Sequence, residues 1–145
     1  MRSIVTSFVI LATAILADAR ISRYWTDQEL YDKADLVVIG KPISTQETTE
    51  EAILPECANV HVIGLSADFD VLAVMRGDRE LKKIILHHYR LADPKRMMIN
   101  GPNLASFDPK LSTRYLMFLH READGRYSPV AGQTDPAGKS VFRLQ

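Results

Sequence analysis

Apolar and polar residues alternate most regularly in the middle of the chain, at residues 60–75. Over residues 65–75 every second side chain is apolar. A period of two is the pattern of a β-strand with one buried face. The turn sequence RGDRE follows at 76–80, and a second apolar run covers residues 81–91. This part of the chain therefore predicts two antiparallel strands joined by a turn.

The register of these two strands decides where the adjacent histidines His87 and His88 lie. The pairing that matches apolar with apolar residues sets Phe69 opposite His87 and Asp68 opposite His88. His87 is then predicted in the core, whereas His88 faces outward, where Asp68 favours its protonated form. Consecutive side chains on a strand point to opposite faces, so the two rings should not share a metal ion or a reaction.

A helix signal lies some 25 residues into the chain. Thr26 and Glu29 have the spacing of a capping box, in which each residue bonds the backbone of the other. The spacing predicts one short helix from Asp27 to about Lys33.

The segments on either side of the central strands predict three more strands. The continuous apolar run at 36–39 is typical of a buried strand, and Gly40 and Pro42 indicate a bulge at its end. Residues 46–59 are polar and acidic, which predicts a long loop. The segment at 114–130 predicts a closing hairpin around a turn at Asp124.

Two further segments complete the chain. Residues 92–113 contain several proline and glycine turn signals and predict a long connector. A short apolar segment at 141–144 is suited to docking or to an added edge strand. All elements together predict a mainly β fold, a five-stranded OB-type barrel with one short N-terminal helix and long loops.

The N-terminus has the features of a signal peptide. Arg2 precedes an apolar run, and Ala17, Asp18 and Ala19 fit the small-x-small pattern of a cleavage site. The run is too short for a membrane span, which needs about 20 residues. Residues 1–19 are therefore predicted to be removed on export. Residues 20–145 are predicted to form a single OB-like binding domain, without a membrane span, that is secreted or lies in the periplasm or cell envelope.

Composition and motif content argue against several kinds of partner and site. The 18 basic and 18 acidic residues cancel, so bulk charge gives no reason to expect a nucleic acid partner. Cys57 is the only cysteine, which excludes an internal disulfide and leaves an inert or intermolecular thiol. The sequence contains no HExxH, paired CxxC, EF-hand or glycine-rich phosphate motif, so we predict no metal and no cofactor.

Three stretches resemble a known family. ELYDKADLVVIGKPIS, FDVLAVMRGD and RYLMFLHREADGRY, within residues 29–127, are similar to the N-terminal domain of tissue inhibitors of metalloproteinases and to netrin-like modules. The resemblance implies a secreted, non-catalytic module that binds through its loops. Those inhibitors place an N-terminal cysteine on the protease zinc, whereas the predicted mature chain here starts at Arg20. Inhibition by that mechanism is therefore not expected, and no family site residue maps onto the chain.

Two loops are the predicted binding face for a protein or glycan partner, with the domain acting as a monomer. The acidic loop and the apolar connector should be neighbours in an OB-type barrel, although the apolar residues of the connector would equally serve to cap the barrel end. The predicted binding residues are Glu50, Glu51, Leu54, Met97, Met98, Asn103, Leu104 and Phe107.

Other functions stay open. Asp68 and Asp70 share a predicted strand face with His88, an arrangement that an envelope hydrolase would use as an acidic pair with a histidine. A structural part in a larger envelope assembly is a further alternative. The tripeptide at 76–78, Arg-Gly-Asp, matches a sequence that integrins read on loop tips, but its residues are also common in turns.

Overall fold

A computed structural model describes residues 24–54, 60–95, 104–132 and 140–144. These residues form one helix, α1 (Asp27–Lys33), and six strands. The strands are β1 (Leu36–Leu54), β2 (Val60–Arg76), β3 (Lys83–Leu91), β4 (Arg114–Arg121), β5 (Tyr127–Pro129) and β6 (Val141–Leu144). The predicted signal peptide at residues 1–19, Arg20 and Cys57 lie outside the described residues.

Five of the strands close a ring in the order β1-β2-β3-β5-β4, because β1 also pairs with β4. Every pairing in the ring is antiparallel except β3 with β5, which is parallel. The mainly β prediction is confirmed. The sixth strand, β6, pairs with β4 as the edge strand that the apolar segment at its position suggested.

Helix α1 has the predicted bounds because its capping box forms. The backbone N–H of Glu29 donates to Thr26 Oγ1 at 3.2 Å, and the backbone N–H of Thr26 donates to Glu29 Oε2 at 2.9 Å. Leu30, on the buried side of the helix, packs with Val37 and Phe118. These contacts fix α1 against β1 and β4.

The interior of the ring is apolar. Its buried side chains alternate along the strands with outward-facing ones, as a sheet with one packed face requires. Phe107 enters this core from the connector between β3 and β4. The core residues are Leu36, Val38, Ala67, Phe69, Ile84, Leu86, Phe107, Met117 and Leu119.

Strand β1 bends where its sequence predicted a bulge. Its register with β2 shifts between Ile39 and Gly40 and again between Pro42 and Ser44. A Cβ on Gly40 would lie 2.9 Å from Met117 Cε and 3.3 Å from the Asp70 carbonyl oxygen, so the close packing at this position favours glycine. The first part of β1 pairs with both β2 and β4, and the part beyond the bend pairs with β2.

The prediction of a loop over residues 46–59 was wrong up to Leu54. β1 continues to Leu54, and residues such as Glu47 and Glu51 pair with Leu65 and Ile63 of β2. Most side chains of this part of β1 are exposed or half-buried. A strand that is solvated on both faces carries no apolar alternation, and the sequence therefore looked like a loop.

The predicted register of β2 and β3 was also wrong, by three residues. Ser66 pairs with His87, Leu65 pairs with His88, and Asp68 pairs with Ile85. An odd shift exchanges the faces of a strand, so His88 points into the ring and His87 points outward. The expectation that the two rings diverge is nevertheless met, because β3 is extended at both.

The register differs because β3 pairs with only part of β2. The pairing of β2 with β3 ends at Asp70 and Lys83, whereas its pairing with β1 continues to Arg76. The segment between the paired parts is therefore much longer than the RGDRE turn. Matching the two strands from that turn outward could not give the observed register.

Candidate binding site

The outer face of β2 and β3 carries the densest group of polar contacts among the described residues. Ile84 and Leu86 of β3 point into the core, so Ile85 and His87 point outward between them. The far part of β1 and the turn between β4 and β5 lie against this face. Two adjoining features result, an ionic cluster at His87 and a pocket at Ile85.

The ionic cluster, which we name the His87 cluster, consists of His87, Glu50, Glu122, Asp124 and Arg126. His87 Nδ1 lies 3.0 Å from each carboxylate oxygen of Glu122, and Nε2 lies 3.2 Å from Glu50 Oε2. Both ring nitrogens of His87 therefore face carboxylate oxygens. His87 as a residue is only 6% exposed.

Arg126 forms hydrogen bonds with two of the acids in the cluster. Its guanidinium donates to both carboxylate oxygens of Glu50, at 2.8 and 3.0 Å, and its Nε donates to Asp124 at 2.7 Å. The hydrogen bonds from Arg126 hold the pKa of Glu50 below its usual range, and those to Glu50 raise the pKa of Arg126. Bidentate pairing of this kind fixes orientation as well as charge.

Gly64 on β2 makes room for this arrangement. A Cβ at Gly64 would lie 2.7 Å from Thr48 Oγ1, 2.9 Å from Glu50 Oε2 and 3.0 Å from Glu50 Cβ. Thr48 also donates a hydrogen bond of 3.0 Å to the Gly64 carbonyl. β1 can therefore lie close over β2 only where β2 lacks a side chain, and this closeness brings Glu50 within reach of His87.

Tyr89 extends the cluster along β3. Its ring centroid lies 4.8 Å from that of His87. Burial raises the pKa of the Tyr89 hydroxyl, and the nearby Glu50 and Glu122 carboxylates raise it further. The His87 cluster and the adjoining Tyr89 together place acids, a guanidinium, an imidazole and a phenol on one face, and such groups can recognise polar ligands.

The second feature is a pocket of about 600 Å³, which we name the outer-face pocket. It is large enough for a small ligand or a short segment of chain, since ligand pockets are typically about 300–1,000 Å³. Ile43 and Ile85, which are 47% and 44% exposed, form part of its wall. Its charged lining residues are Asp68, Asp70, Lys83 and Arg121.

Asp68 and Asp70, the predicted acidic pair, lie close together, but the predicted histidine His88 is not near them. Asp68 and Asp70 both line the outer-face pocket, and the Ser44 hydroxyl donates a hydrogen bond to Asp68. His88 is on the opposite face of β3 and is 1% exposed. The structure therefore does not assemble Asp68, Asp70 and His88 into one site. The prediction that Asp68 favours protonated His88 was wrong because of the register shift.

His88 is instead the core histidine. Its Nδ1–H donates to the Ala105 carbonyl at 2.9 Å, and its ring packs edge-to-face on Phe107 at 5.0 Å between centroids. Burial lowers the pKa of His88 to about 4, with a further contribution from the charge of His87. His88 is therefore neutral near pH 7 and belongs to the packing of the ring interior.

The predicted binding residues fall into different environments. Glu50 is in the His87 cluster, and Glu51 is exposed on β1. Leu54, at the end of β1, and Leu104 both pack against Val60 and Val62.

Phe107 is only 7% exposed and belongs to the core, so it caps the ring rather than forming a surface. This is the alternative that the apolar connector left open. Met97, Met98 and Asn103 lie outside the described residues.

The tripeptide at residues 76–78 is held by the fold. Arg76 donates to the Tyr31 carbonyl at 2.8 Å, and its guanidinium carbon lies 5.2 Å from the centre of the Tyr31 ring. Gly77 has a φ of 106°, a conformation that favours glycine. Arg76 thus contacts α1 and Gly77 suits the backbone of the turn, so both residues have a structural role in the fold.

Glu122, Asp124, Arg126 and Tyr89 were not among the predicted site residues. Glu122 is 35 residues from His87 in the sequence, and Arg126 is 76 residues from Glu50. No local pattern connects such distant positions. The one available signal was the charge density of READGR at 121–126, which was read only as a turn.

Comparison with protein-family models, with curated proteins and with solved structures finds no match to this chain. Within residues 24–54, 60–95, 104–132 and 140–144, no helix is long and apolar enough to cross a membrane. The same residues contain no group of three or more His, Cys, Asp or Glu side chains placed to hold a metal ion.

Proposed function

We propose that this chain is an exported, non-catalytic binding module with an OB-type barrel, which recognises a protein or glycan partner through the outer face of β2 and β3. The ring order and the parallel pairing of β3 with β5 support the OB-type assignment. OB-type barrels bind ligands on the face of strands 2 and 3 and on the loops between strands 1 and 2 and between strands 4 and 5.

The position of the His87 cluster and the outer-face pocket on that face is the observation that carries the proposal. Glu122 and Arg126 belong to the turn between β4 and β5, and Glu50 lies near the end of β1 that leads into the turn before β2. The polar contacts are therefore concentrated where this class of barrel binds. The similarity of three sequence stretches to netrin-like modules favours the same function.

Export is supported by the signal-peptide pattern of residues 1–19. The full chain should be expressed in a host that secretes proteins, and its mass should be measured in the medium or periplasmic fraction. We expect a chain that begins at Arg20. A chain that keeps residues 1–19 and stays in the cytosol would contradict the export part of the proposal.

Binding is tested by affinity capture with the mature chain from extracellular or envelope extracts. Arg126→Gln with Glu122→Gln alters the proposed face, and we expect it to reduce capture of the partner at least tenfold. Gln28→Ala is the matched control, because the hydrogen bond of Gln28 to Asp32 is local to α1. Capture that survives the double substitution unchanged, or that depends on Gln28, would place the binding surface elsewhere.

The hydrolase alternative keeps one supporting observation, which is the presence of Asp68 and Asp70 in a single pocket. A broad screen of hydrolase substrates with the wild-type chain tests it, with Asp68→Asn as the control. Turnover that disappears in Asp68→Asn would favour the enzyme over the binding module. Turnover in neither chain favours the binding module.

A further inference from the structure

The outer-face pocket contains equal numbers of acidic and basic side chains. Asp68 and Asp70 line it from β2. Lys83 lines it from β3, and Arg121 lines it from the end of β4. The formal charges of these four groups cancel. A ligand with a net charge would therefore meet repelling as well as attracting groups, whereas a neutral polar ligand meets none that repel it.

The four charged side chains form no ion pairs with the residues that the structure describes. This holds even for Asp70 and Lys83, which are paired in the register of β2 and β3. Asp68 accepts one hydrogen bond, from the Ser44 hydroxyl, and keeps further lone pairs for other donors. The pocket therefore offers both acids and both cations to a ligand.

Hydrogen-bond acceptors and donors come from different sides of the pocket. β2 lies on one side of β3, and β5 with β4 beyond it lies on the other. The carboxylates of β2 only accept hydrogen bonds, whereas the Arg121 guanidinium only donates them. A ligand that spans the pocket must therefore donate on one side and accept on the other. A hydroxyl group does both and carries no charge.

Apolar side chains lie between these polar groups. Ile43 and Ile85 are exposed in the wall of the pocket, and the half-buried Tyr127 adds an aromatic ring. A sugar ring has hydroxyls around its edge and C–H groups on its faces, so it matches a wall that is polar at the sides and apolar between them. The volume of about 600 Å³ suits a short oligosaccharide.

The strand pairing beside the pocket disfavours a peptide as the ligand. The parallel bridge of Leu86 with Tyr127 already occupies the edge of β3 that faces β5. An extended peptide therefore could not attach there through main-chain pairing, which is the common source of affinity for such segments.

We propose that the outer-face pocket binds a neutral oligosaccharide, whose hydroxyls donate to the two aspartates of β2 and accept from Lys83 and Arg121. The C–H face of one sugar ring packs on Ile85. This inference rests on the proposed binding function and specifies the partner of the same face as a glycan.

The test titrates trisaccharides into the ¹⁵N-labelled mature chain. Trisaccharides of glucose, galactose, mannose and N-acetylglucosamine are the neutral probes, and those of glucosamine and of glucuronate are the cationic and anionic probes. We expect at least one neutral probe to shift the amide signals of Asp70, Lys83 and Ile85. Its Kd should be at least tenfold lower than that of either charged probe, because the charges of the pocket are balanced.

Two variants that unbalance the pocket make the test specific. Lys83→Gln with Arg121→Gln leaves the two acids, and the glucosamine probe should then bind better than the neutral one. Asp68→Asn with Asp70→Asn leaves the two bases, and the glucuronate probe should then bind best. Asp27→Asn, an exposed position on α1, is the matched control and should keep the preference of the wild-type chain.

Three results overturn the inference. The first is that no neutral trisaccharide shifts the pocket amides, and the second is that the wild-type chain binds a charged probe most tightly. The third is that the dipeptide glycylglycine shifts the same amides at a lower concentration than every sugar, which would assign the pocket to a peptide.

Failure of this inference can be distinguished from failure of the proposed function. A protein without glycans that is captured in an Arg126-dependent manner, while no sugar shifts the pocket amides, keeps the binding module and removes the glycan site. Absence of both the capture and the sugar binding removes the module itself.

Discussion

The guanidinium of Arg126 forms two hydrogen bonds, of 2.8 and 3.0 Å, with the carboxylate of Glu50, 76 residues away along the chain. Arg126 lies just before β5 and Glu50 lies on β1, so the pair joins two elements that share no strand pairing. This contact fixes the far part of the β1–β2 hairpin over the outer face of the sheet.

The pair should be measurably coupled. In a double-mutant cycle with Arg126→Gln and Glu50→Gln, we expect an interaction free energy of about 1 kcal/mol from urea denaturation, since bidentate pairs lie at the upper end of partly exposed ion pairs. The control cycle uses Arg90→Gln and Glu47→Gln, whose ion pair of 2.7 Å is more exposed. Equal coupling in the two cycles would contradict the special role of Arg126.

The buried His88 should make stability depend on pH. Its pKa is about 4 in the folded chain, below the usual value near 6.5. The unfolded chain takes up a proton below pH 6.5 while the folded chain does not, so stability falls as pH falls from 6.5 to 4. The full loss is on the order of 3 kcal/mol.

Urea denaturation of the wild-type chain at pH 7.5, 5.5 and 4.5 measures this effect. His88→Asn keeps an N–H donor for the Ala105 carbonyl and removes the titrating ring. We expect the variant to lose a correspondingly smaller part of its stability between pH 6.5 and 4. The same pH dependence in both chains would mean that other groups cause it.

Gly64→Ala should loosen the His87 cluster. The added Cβ would overlap Thr48 Oγ1 and Glu50 Oε2, so we expect a loss of about 1–2 kcal/mol in the free energy of unfolding. Combination with Thr48→Ala removes the closest atom and should recover part of the loss. Strictly additive effects of the two substitutions would show that crowding at Gly64 is not the cause.

Phe107 should be a main anchor of the connector between β3 and β4. Its ring lies 5.0 Å from those of Phe69, His88 and Tyr115, all in edge-to-face geometry. Phe107→Ala leaves a cavity in the core and should reduce the free energy of unfolding by about 3–4 kcal/mol.

The matched control for Phe107 is Leu111→Ala in the same segment. Leu111 is 48% exposed, so its loss should change stability by about 0.5 kcal/mol or less. Comparable losses in the two variants, measured by thermal or urea denaturation, would contradict the anchoring role.

The sequence predicted those parts of the fold that local chemistry determines. The capping box of Thr26 and Glu29 gave the bounds of α1, and Gly40 and Pro42 located the bend in β1. The predicted register of β2 and β3 was wrong because β3 pairs with β2 only as far as Asp70, whereas β2 continues to Arg76 paired with β1. The prediction of a loop around Glu50 was wrong because a strand that is solvated on both faces has the same polar composition as a loop.

The candidate site was less accessible to sequence reasoning than the fold. Glu50 was predicted from the acidity of its segment, but its partners Arg126 and His87 come from strands and turns that meet only in the folded ring. His88 was assigned to the wrong face as a direct result of the register error. The partners of Glu50 and the face of His88 both depend on long-range strand pairing, and a single sequence contains no direct signal for such pairing.

The neighbouring imidazoles of His87 and His88 have a consequence for the fidelity of folding. One ring lies among carboxylates and the other lies against Phe107 in a dry interior. Sliding β3 by a single residue would place the His87 ring among the apolar side chains of the interior and separate it from the carboxylates of Glu50 and Glu122. The two histidines therefore disfavour a shifted register of β3, independent of whatever the molecule binds.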